Sequence, residues 1–312
     1  MAAPYTSTSN NTTFIWKTDS RAGEIPAYVY YGPKDNVSHP IAICYHAGGF
    51  VLGSTALIPK NQVDYLVSKG FVVVLPEYRL APQVDIASGP VKDAKEAFVW
   101  SQEAMPALLR DVAGIEVNSK SIVSIGWSAG GLLALSTASL PNPPSAIVDY
   151  YGMKYLDDDC HRKPLAAFSQ LPTLPEEFTN KIYDGPVPFV SEPMFVDGKP
   201  ALHDPRAAWF LTQLKNGTSV SACVPDGNYD FDVSRQFAGK FPPTFFLHGT
   251  IDPFVSHQIS VRAHEELKKA GNESELLLGD DIAHVFDLQL EAQDPKFIKY
   301  VLPALNFAVN HV

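Results

Sequence analysis

The segment Ile122-Val-Ser-Ile-Gly-Trp-Ser-Ala-Gly-Gly131 is the most informative part of the chain. Its first four residues have the pattern of a buried strand, and residues 129–138, rich in Leu and Ala, predict a helix directly after it. A Gly-x-Ser-x-Gly between a strand and a helix forms a sharp turn that exposes the serine above the sheet. Gly126 and Gly130 must be small because strand and helix approach closely there. Ser128 is therefore the candidate nucleophile.

Strand and helix patterns alternate on both sides of this segment. The predicted strands cover residues 13–18, 25–31, 41–45, 71–75, 122–125, 146–148, 244–247 and 275–278. The predicted helices cover residues 58–69, 91–100, 129–138, 256–270 and 295–309. Such repeated units imply a mostly parallel sheet with helices on both faces, so the predicted fold class is α/β.

One segment interrupts the alternation. Residues 153–239 are rich in Pro, Asp and aromatic side chains and contain no apolar run that resembles a buried strand. Long irregular insertions are usually functional, so we expect a cap over the site, with a core formed by residues 1–152 and 240–312. A surface elaboration that only stabilises the sheet is the alternative. Eight aromatic residues are expected to line an apolar acyl or alcohol pocket, and many of them also to fill the core of the cap itself: Tyr155, Phe168, Phe178, Tyr183, Phe189, Phe195, Trp209 and Phe210.

Composition narrows the class of partner. The chain has 24 Lys and Arg against 34 Asp and Glu, a net charge of −10, which argues against nucleic acid or an anionic membrane as the main partner. No apolar run reaches the roughly 18 residues of a membrane span. Met1–Asn10 lacks the basic and apolar regions of a secretory signal, so a cytoplasmic location is expected. No metal-binding motif is present, and no metal or cofactor is predicted.

A serine nucleophile needs a base, and the base needs an orienting acid. His284 follows the last predicted strand, and Asp252 directly follows the strand at 244–247. Carboxyl ends of parallel strands meet at one sheet edge, where sites of α/β proteins form. The order Ser128, Asp252, His284 is that of the α/β-hydrolases. These three residues are the predicted catalytic set.

Other residues near these positions have competing interpretations. His248 begins the same loop as Asp252 and is interpreted as a residue that stabilises the turn. Asp280 and Asp281 are alternative acids, although they lie close in sequence to His284. His46 is interpreted as a loop-fixing residue.

The segment Tyr45-His-Ala-Gly-Gly-Phe50 predicts an oxyanion hole. Adjacent glycines let backbone N–H groups turn toward one point. The N–H groups of Gly48 and Gly49, with that of Ala129 after the nucleophile, would hold the oxyanion of a tetrahedral intermediate. A plain glycine-rich turn is the alternative.

Together these motifs make the sequence resemble the hormone-sensitive-lipase-like group of α/β-hydrolases, which contains carboxylesterases. Besides the Asp252 and His284 neighbourhoods, four blocks match: His46-Ala-Gly-Gly49, Pro76-Glu-Tyr-Arg-Leu-Ala-Pro82, Asp93-x3-Ala97-x2-Trp100 and Gly126-x-Ser-Ala-Gly-Gly131. The resemblance implies hydrolysis of carboxylic esters through an acyl-enzyme, without a cofactor, and places the cap at the insertion.

Three positions depart from the pattern of the group. Ala47 replaces the first of three usual glycines, Trp127 replaces the usual Asp before the nucleophile, and Val285 replaces the usual Gly after the base. The predicted catalytic set is intact, whereas the substrate range is left open.

The expected function is a serine hydrolase that cleaves a carboxylic ester or thioester of a small to medium apolar substrate. The alternative keeps the catalytic set but gives a cyclase, acyltransferase or carbon–carbon lyase of natural-product biosynthesis. A ligand receptor with a hydrolase-like pocket is a third class, disfavoured because all three catalytic residue types are present. The sequence does not indicate the oligomeric state.

Overall fold

A computed structural model describes residues 9–312 of the chain. The prediction that the chain lacks a secretory signal rests on residues 1–10. Residues 1–8 lie outside the described part of the chain, so the cytoplasmic location stays a prediction. No helix within residues 9–312 is long and apolar enough to cross a membrane.

Eight strands form one sheet in the order β1-β2-β4-β3-β5-β6-β9-β10. The strands of this sheet are β1 (Asn10–Asp19), β2 (Gly23–Tyr31), β3 (Ser38–Tyr45), β4 (Val72–Pro76), β5 (Glu116–Trp127), β6 (Ala146–Tyr150), β9 (Thr244–Gly249) and β10 (Ser274–Gly279). The pairs β1–β2 and β2–β4 are antiparallel and all other pairs are parallel. The predicted α/β class with a mostly parallel sheet is confirmed.

Within residues 9–312, eight α-helices accompany these strands. They are α1 (Lys60–Ser68), α2 (Lys92–Glu103), α3 (Met105–Ala113), α4 (Ala129–Ser136), α5 (Glu176–Thr179), α6 (Pro205–Asn216), α7 (Gln258–Lys269) and α8 (Leu302–Asn310). The helix predicted at 295–309 is a π-helical turn, Phe297–Val301, followed by α8. The short helix α3 was not predicted.

The sheet is covered on both faces. Along β3, Ile41 and Ile43 belong to one buried cluster, whereas Ala42 and Cys44 belong to a second. Successive side chains of a strand point to opposite faces, so the two clusters are the two layers of the core. This explains why strands such as Val72–Pro76 are uniformly buried rather than alternating.

Residues 153–239 contain α5, α6, several short 3-10 turns and a hairpin, β7 (Phe195–Val196) with β8 (Lys199–Pro200), which is separate from the main sheet. Helix α6 is largely buried, and its Ala207 and Leu211 belong to the core cluster that contains Ile41. The insertion is therefore packed onto one layer of the core.

Candidate active site

Ser128 occupies the turn between β5 and α4. Its backbone has φ 54° and ψ −116°, a conformation that costs a residue with a side chain about 1–3 kcal/mol and needs support from its surroundings. The Ser128 N–H donates to Tyr150 O at 2.9 Å, and Ser128 O accepts from Met153 N at 3.1 Å. These bonds to the end of β6 and the segment after it hold the strained turn in place.

Glycine is required on both sides of this turn. A Cβ added at Gly126 would lie 1.9 Å from Gly130 O, and one added at Gly130 would lie 2.0 Å from Tyr45 O. Both distances are to backbone atoms, which cannot move aside. The close approach of strand and helix inferred from the sequence is therefore present.

His284 lies in the loop after β10 and bridges the other two predicted catalytic residues. Its Nε2 is 2.9 Å from Ser128 Oγ, and its Nδ1 is 2.6 Å from Asp252 Oδ2. The three side chains come from the ends of β5, β9 and β10. The structure thus brings the whole predicted set together in hydrogen-bond contact.

Asp252 is held as an ionised carboxylate. Its Oδ1 accepts hydrogen bonds from Phe254 N at 2.8 Å and Val255 N at 2.9 Å. Burial by itself raises the pKa of the Asp252 carboxyl, but the hydrogen bonds from His248 and His284 outweigh it and hold that pKa well below its usual range. A charged, oriented carboxylate fixes the imidazole tautomer and stabilises the imidazolium that forms during catalysis.

The alternative acids lie elsewhere. Asp280 Oδ1 accepts from Thr250 Oγ1 at 3.4 Å, and Asp281 Oδ1 accepts from Tyr300 Oη at 2.5 Å. Neither carboxylate contacts the imidazole of His284 in the described structure.

The glycine-rich loop after β3 approaches the nucleophile. Gly48 and Gly49 have φ of 130° and 61°, and both line the same cavity as Ser128. A Cβ at Gly48 would lie 1.9 Å from Leu52 O, and one at Gly49 would lie 2.2 Å from Phe210 Cζ. Ala129 begins α4, so its N–H has no acceptor within that helix. The loop geometry and this helix start suit the predicted oxyanion hole.

His46 lies beneath the loop and is fully buried. Its ring stacks on Tyr78 with centroids 4.1 Å apart, and its Nδ1 is 2.6 Å from Ala47 O. Burial lowers the pKa of His46 to about 4, so the ring is neutral at pH 7. Its Nε2 lies 3.5 Å from Oε2 of Glu77, whose pKa burial raises to about 7. These contacts agree with a loop-fixing role.

Arg206 of α6 supports the same loop from the insertion. The guanidinium Nη1 donates to Val51 O at 3.0 Å and to Ala81 O at 2.6 Å. The Arg206 residue is only 8% exposed. The insertion therefore contacts the backbone directly after the predicted oxyanion loop, at Val51, and a second segment at Ala81.

A cavity of about 670 Å³ opens beside Ser128 and His284. Its lining from the insertion is mainly aliphatic, sulfur-containing and aromatic, and includes Leu165, Met194, Phe195, Phe210, Leu214 and Val220. Such a volume and lining suit a small to medium ligand.

Two of the eight insertion aromatics, Phe195 and Phe210, line the cavity, whereas the other six do not reach it. Phe168 is buried and packs against Phe195 and Phe254, two residues that line the cavity. Trp209 packs against Tyr183. The other predicted lining residues that do not reach it are Tyr155, Phe178 and Phe189.

A buried carboxylate, that of Asp287, was not among the predicted site residues. Asp287 accepts hydrogen bonds from Trp127 Nε1 at 2.8 Å, Tyr151 Oη at 2.5 Å and Gln62 Nε2 at 2.6 Å. The Tyr151 ring lies 4.8 Å from that of His284. The indicative signal was Trp127, which brings an indole N–H to a position where the resembled group has a carboxylate.

Among residues 9–312, no cluster of three or more His, Cys, Asp or Glu side chains is arranged to hold a metal ion.

Sheet order, nucleophile turn and the chain order of the three residues define an α/β-hydrolase. Residues 42–176 match a family model described as the alpha/beta hydrolase fold. The chain therefore has the α/β-hydrolase fold.

Solved structures similar to this chain include an esterase from Thermogutta terrifontis. Its propionate-bound form has a TM-score of 0.62 at 20% identity, over 96% of this chain and 93% of that one. The same organism's esterase 2, phosphorylated by paraoxon, has a TM-score of 0.61 at 20% identity, over 96% and 91% of the two chains. At this identity the likeness shows the fold.

Curated relatives include much longer proteins. The chain is 28% identical to the non-reducing polyketide synthase prhL of Penicillium brasilianum, over 93% of this chain but 13% of the synthase. It is also 28% identical to the non-reducing polyketide synthase ascC of Acremonium egyptiacum, over 96% of this chain and 15% of that protein. The chain therefore spans only a small part of the length of these relatives.

Proposed function

We propose that this chain is a serine hydrolase that cleaves a carboxylic ester or thioester through an acyl-enzyme on Ser128. The observation that carries the proposal is the continuous path from Ser128 Oγ to His284 Nε2, 2.9 Å, and from His284 Nδ1 to Asp252 Oδ2, 2.6 Å. Both distances suit proton transfer and tautomer control without rearrangement.

In the proposed reaction, Ser128 Oγ attacks the substrate carbonyl carbon while His284 Nε2 takes the hydroxyl proton. Asp252 stabilises the imidazolium formed at this step. His284 then gives the proton to the leaving alkoxide or thiolate, and it next activates a water that attacks the acyl-enzyme. Attack of that water releases the carboxylic acid and restores Ser128.

The proposed oxyanion hole consists of the N–H groups of Gly48, Gly49 and Ala129. Two come from the loop after β3 and one from the start of α4, whose positive end adds to the stabilisation of an oxyanion. Removing one such donor costs on the order of 10²–10³ in kcat in comparable sites.

We further propose that residues 153–239 act as a cap that selects a small to medium apolar substrate. This is supported by the cavity of about 670 Å³ and by the share of its wall that Leu165, Phe195, Phe210 and Val220 supply. Much of this wall is apolar, so it would bind an acyl or alcohol group by burial of hydrocarbon.

A second candidate reaction is supported by the polyketide synthase relatives. The same acyl-enzyme could be released by an internal nucleophile or by another alcohol, as in a cyclase or acyltransferase, or the site could cleave a carbon–carbon bond. Product analysis in H2(18)O separates these outcomes for an ester substrate. Hydrolysis places solvent oxygen in the acid product, whereas cyclisation and acyl transfer do not.

The main test is a panel of p-nitrophenyl esters, from acetate to decanoate, on the wild type and Ser128→Ala in parallel. We expect serine-dependent turnover with an optimum in chain length set by the cavity. Folded Ser128→Ala with wild-type turnover would contradict the mechanism. If the wild type turns over no ester but a fluorophosphonate probe labels Ser128, the second candidate reaction is favoured.

A further inference from the structure

A second histidine approaches the acid of the proposed catalytic set. His248 lies near the end of β9 and is fully buried. Its Nε2 is 3.3 Å from Asp252 Oδ2 and 3.0 Å from Val255 O. The carbonyl and the ionised carboxylate can only accept hydrogen bonds, so the hydrogen must be on His248 Nε2.

The other ring nitrogen of His248 then has a defined role. Burial lowers the pKa of His248, so the ring is neutral and carries one hydrogen. With that hydrogen on Nε2, Nδ1 can only accept. Its partner is Ser260 Oγ of α7, 2.8 Å away. The Ser260 hydroxyl therefore donates to His248.

Lys154 fixes the direction of the hydroxyl. Its Nζ lies 3.0 Å from Ser260 Oγ, 2.6 Å from Gly152 O and 2.8 Å from Asp149 Oδ2. The side chains of Lys154 and Asp149 are both 0% exposed. An ammonium can only donate, so the lone pair of Ser260 Oγ faces Lys154 and its hydrogen is directed to His248.

From this arrangement we propose that Lys154, Ser260 and His248 form a positioning arm for Asp252. The arm fixes His248 in the Nε2–H tautomer, whose hydrogen is shared between Val255 O and Asp252 Oδ2, the same oxygen that accepts from His284. It thereby sets the orientation of Asp252. This inference rests on the proposed function, because it requires Asp252 to orient the base.

The arm acts through Asp252 and not on the substrate. His248, Ser260 and Lys154 are no more than 1% exposed, and none of them lines the cavity beside Ser128. A buried ion pair such as Lys154 with Asp149 gives little net stability, because desolvation offsets the attraction. A positioning role explains why the Lys154 ammonium is placed within hydrogen-bond distance of Ser260.

The test compares two substitutions at one position. Gln places its amide N–H near the position of His248 Nε2, so His248→Gln can still donate to Asp252. Asn places its amide near Nδ1 and is too short to reach Asp252. We expect His248→Asn to lower kcat about tenfold, the effect of one charge-assisted hydrogen bond, with KM unchanged. His248→Gln should restore most of that loss, and Ser260→Ala should lower kcat several-fold.

A proton NMR measurement provides a readout that needs no turnover. The hydrogen shared by His284 Nδ1 and Asp252 should give a strongly deshielded resonance, absent from Asp252→Asn. His248→Asn and Ser260→Ala should shift it, and His248→Gln should return it toward the wild-type position. Thermal unfolding of each variant shows whether the fold is retained.

The proposal is overturned if His248→Asn and Ser260→Ala keep the wild-type kcat and resonance. It is also overturned if the Gln and Asn variants lose kcat equally, in proportion to lower unfolding temperatures, because that result indicates packing alone. Failure of the proposed function is recognised separately: folded Ser128→Ala would then retain turnover, whatever the state of the arm.

Discussion

Trp127 donates a 2.8 Å hydrogen bond from its indole Nε1 to Asp287 Oδ2. Trp127 directly precedes the proposed nucleophile, Ser128, and Asp287 follows the proposed base by three residues. The bond therefore joins the turn of Ser128 to the loop of His284 through buried side chains. All three partners of the Asp287 carboxylate donate hydrogen bonds to it. We therefore expect Asp287 to hold the turn of Ser128 and the loop of His284 in a fixed relative position.

Asp287→Asn should weaken both the fold and catalysis. The NH2 of the new amide would face the hydrogen-bond donors of Trp127, Tyr151 or Gln62, so at least one buried donor would lack an acceptor. Such an unpaired buried donor costs about 1–3 kcal/mol. We expect the free energy of unfolding to fall by this amount and kcat to decrease, with a smaller change in KM. Urea unfolding and ester kinetics measure the two effects. Trp127→Phe, which removes one donor only, should give a milder loss; a wild-type kcat in Asp287→Asn would rule out this positioning role.

Gly49→Ala should disable the proposed oxyanion hole. The new Cβ would lie 2.2 Å from Phe210 Cζ, and φ at this position is 61°, which disfavours a side chain. If the loop shifts so that one donor is lost, kcat should fall on the order of 10²–10³-fold. Steady-state kinetics on a short-chain ester provides the measurement.

The matched control is Gly49→Ala combined with Phe210→Leu. A leucine frees the space that the ring occupies, so part of the lost activity should return in the double variant. An unaffected kcat in Gly49→Ala alone would show that the loop does not bind the oxyanion.

Asp252→Asn should lower kcat on the order of 10³–10⁴-fold while the structure is kept, because an amide favours the wrong tautomer of His284. Labelling of Ser128 by a fluorophosphonate should slow in parallel. Asp280→Asn is the control, because Asp280 lies on Thr250 and should leave both rates near those of the wild type. The opposite ranking of the two variants would reassign the acid.

Glu77 should make stability depend on pH. Burial raises the pKa of the Glu77 carboxyl from 4.5 to about 7, so the folded chain keeps a proton that the unfolded chain releases. Between these values the folded state binds more protons, and the free energy of unfolding falls as pH rises. The contribution is lost progressively from about pH 5 and fully by about pH 8, and it amounts to about 3 kcal/mol.

Glu77→Gln should remove this dependence. Urea titration at several pH values gives the unfolding free energies of the wild type and the variant. As pH increases, the wild type should lose stability relative to Glu77→Gln. Equal pH profiles for the two proteins would show that Glu77 does not titrate in this range.

The sheet and the predicted catalytic set could be derived from sequence because their signals are local. Val72–Pro76 is a short apolar run that is buried along its whole length, and glycines flank Ser128 at fixed offsets. Asp252 and His284 each follow a strand, and parallel strands bring such positions to one edge. None of these inferences needs knowledge of distant contacts.

Asp287 and Lys154 could not be recognised in this way. Trp127 and Asp287 are 160 residues apart in sequence, and Lys154 and Ser260 are 106 apart. Taken from sequence alone, each is a charged residue in an irregular segment, which usually lies on the surface. Their burial depends on packing that brings together separate strand ends.

The residues of the insertion that line the cavity could not be predicted from sequence either. The aromatic content of the insertion correctly indicates a packed segment, but composition does not tell which ring faces the cavity. Phe210 reaches it from α6, whereas the adjacent Trp209 packs against Tyr183. Neighbouring residues of a helix point in different directions, so the assignment needs the orientation of α6 on the core.

The place of His284 after β10 has a consequence during synthesis. Ser128 and the base are separated by 156 residues, and β10 joins the sheet at its edge, beside β9. A ribosome therefore exposes the serine and the glycine-rich loop well before it exposes the imidazole. By the proposed mechanism, a nascent chain that has not yet exposed residue 284 has the serine without its base, and a proteolytic fragment that ends before this position is expected to be inactive.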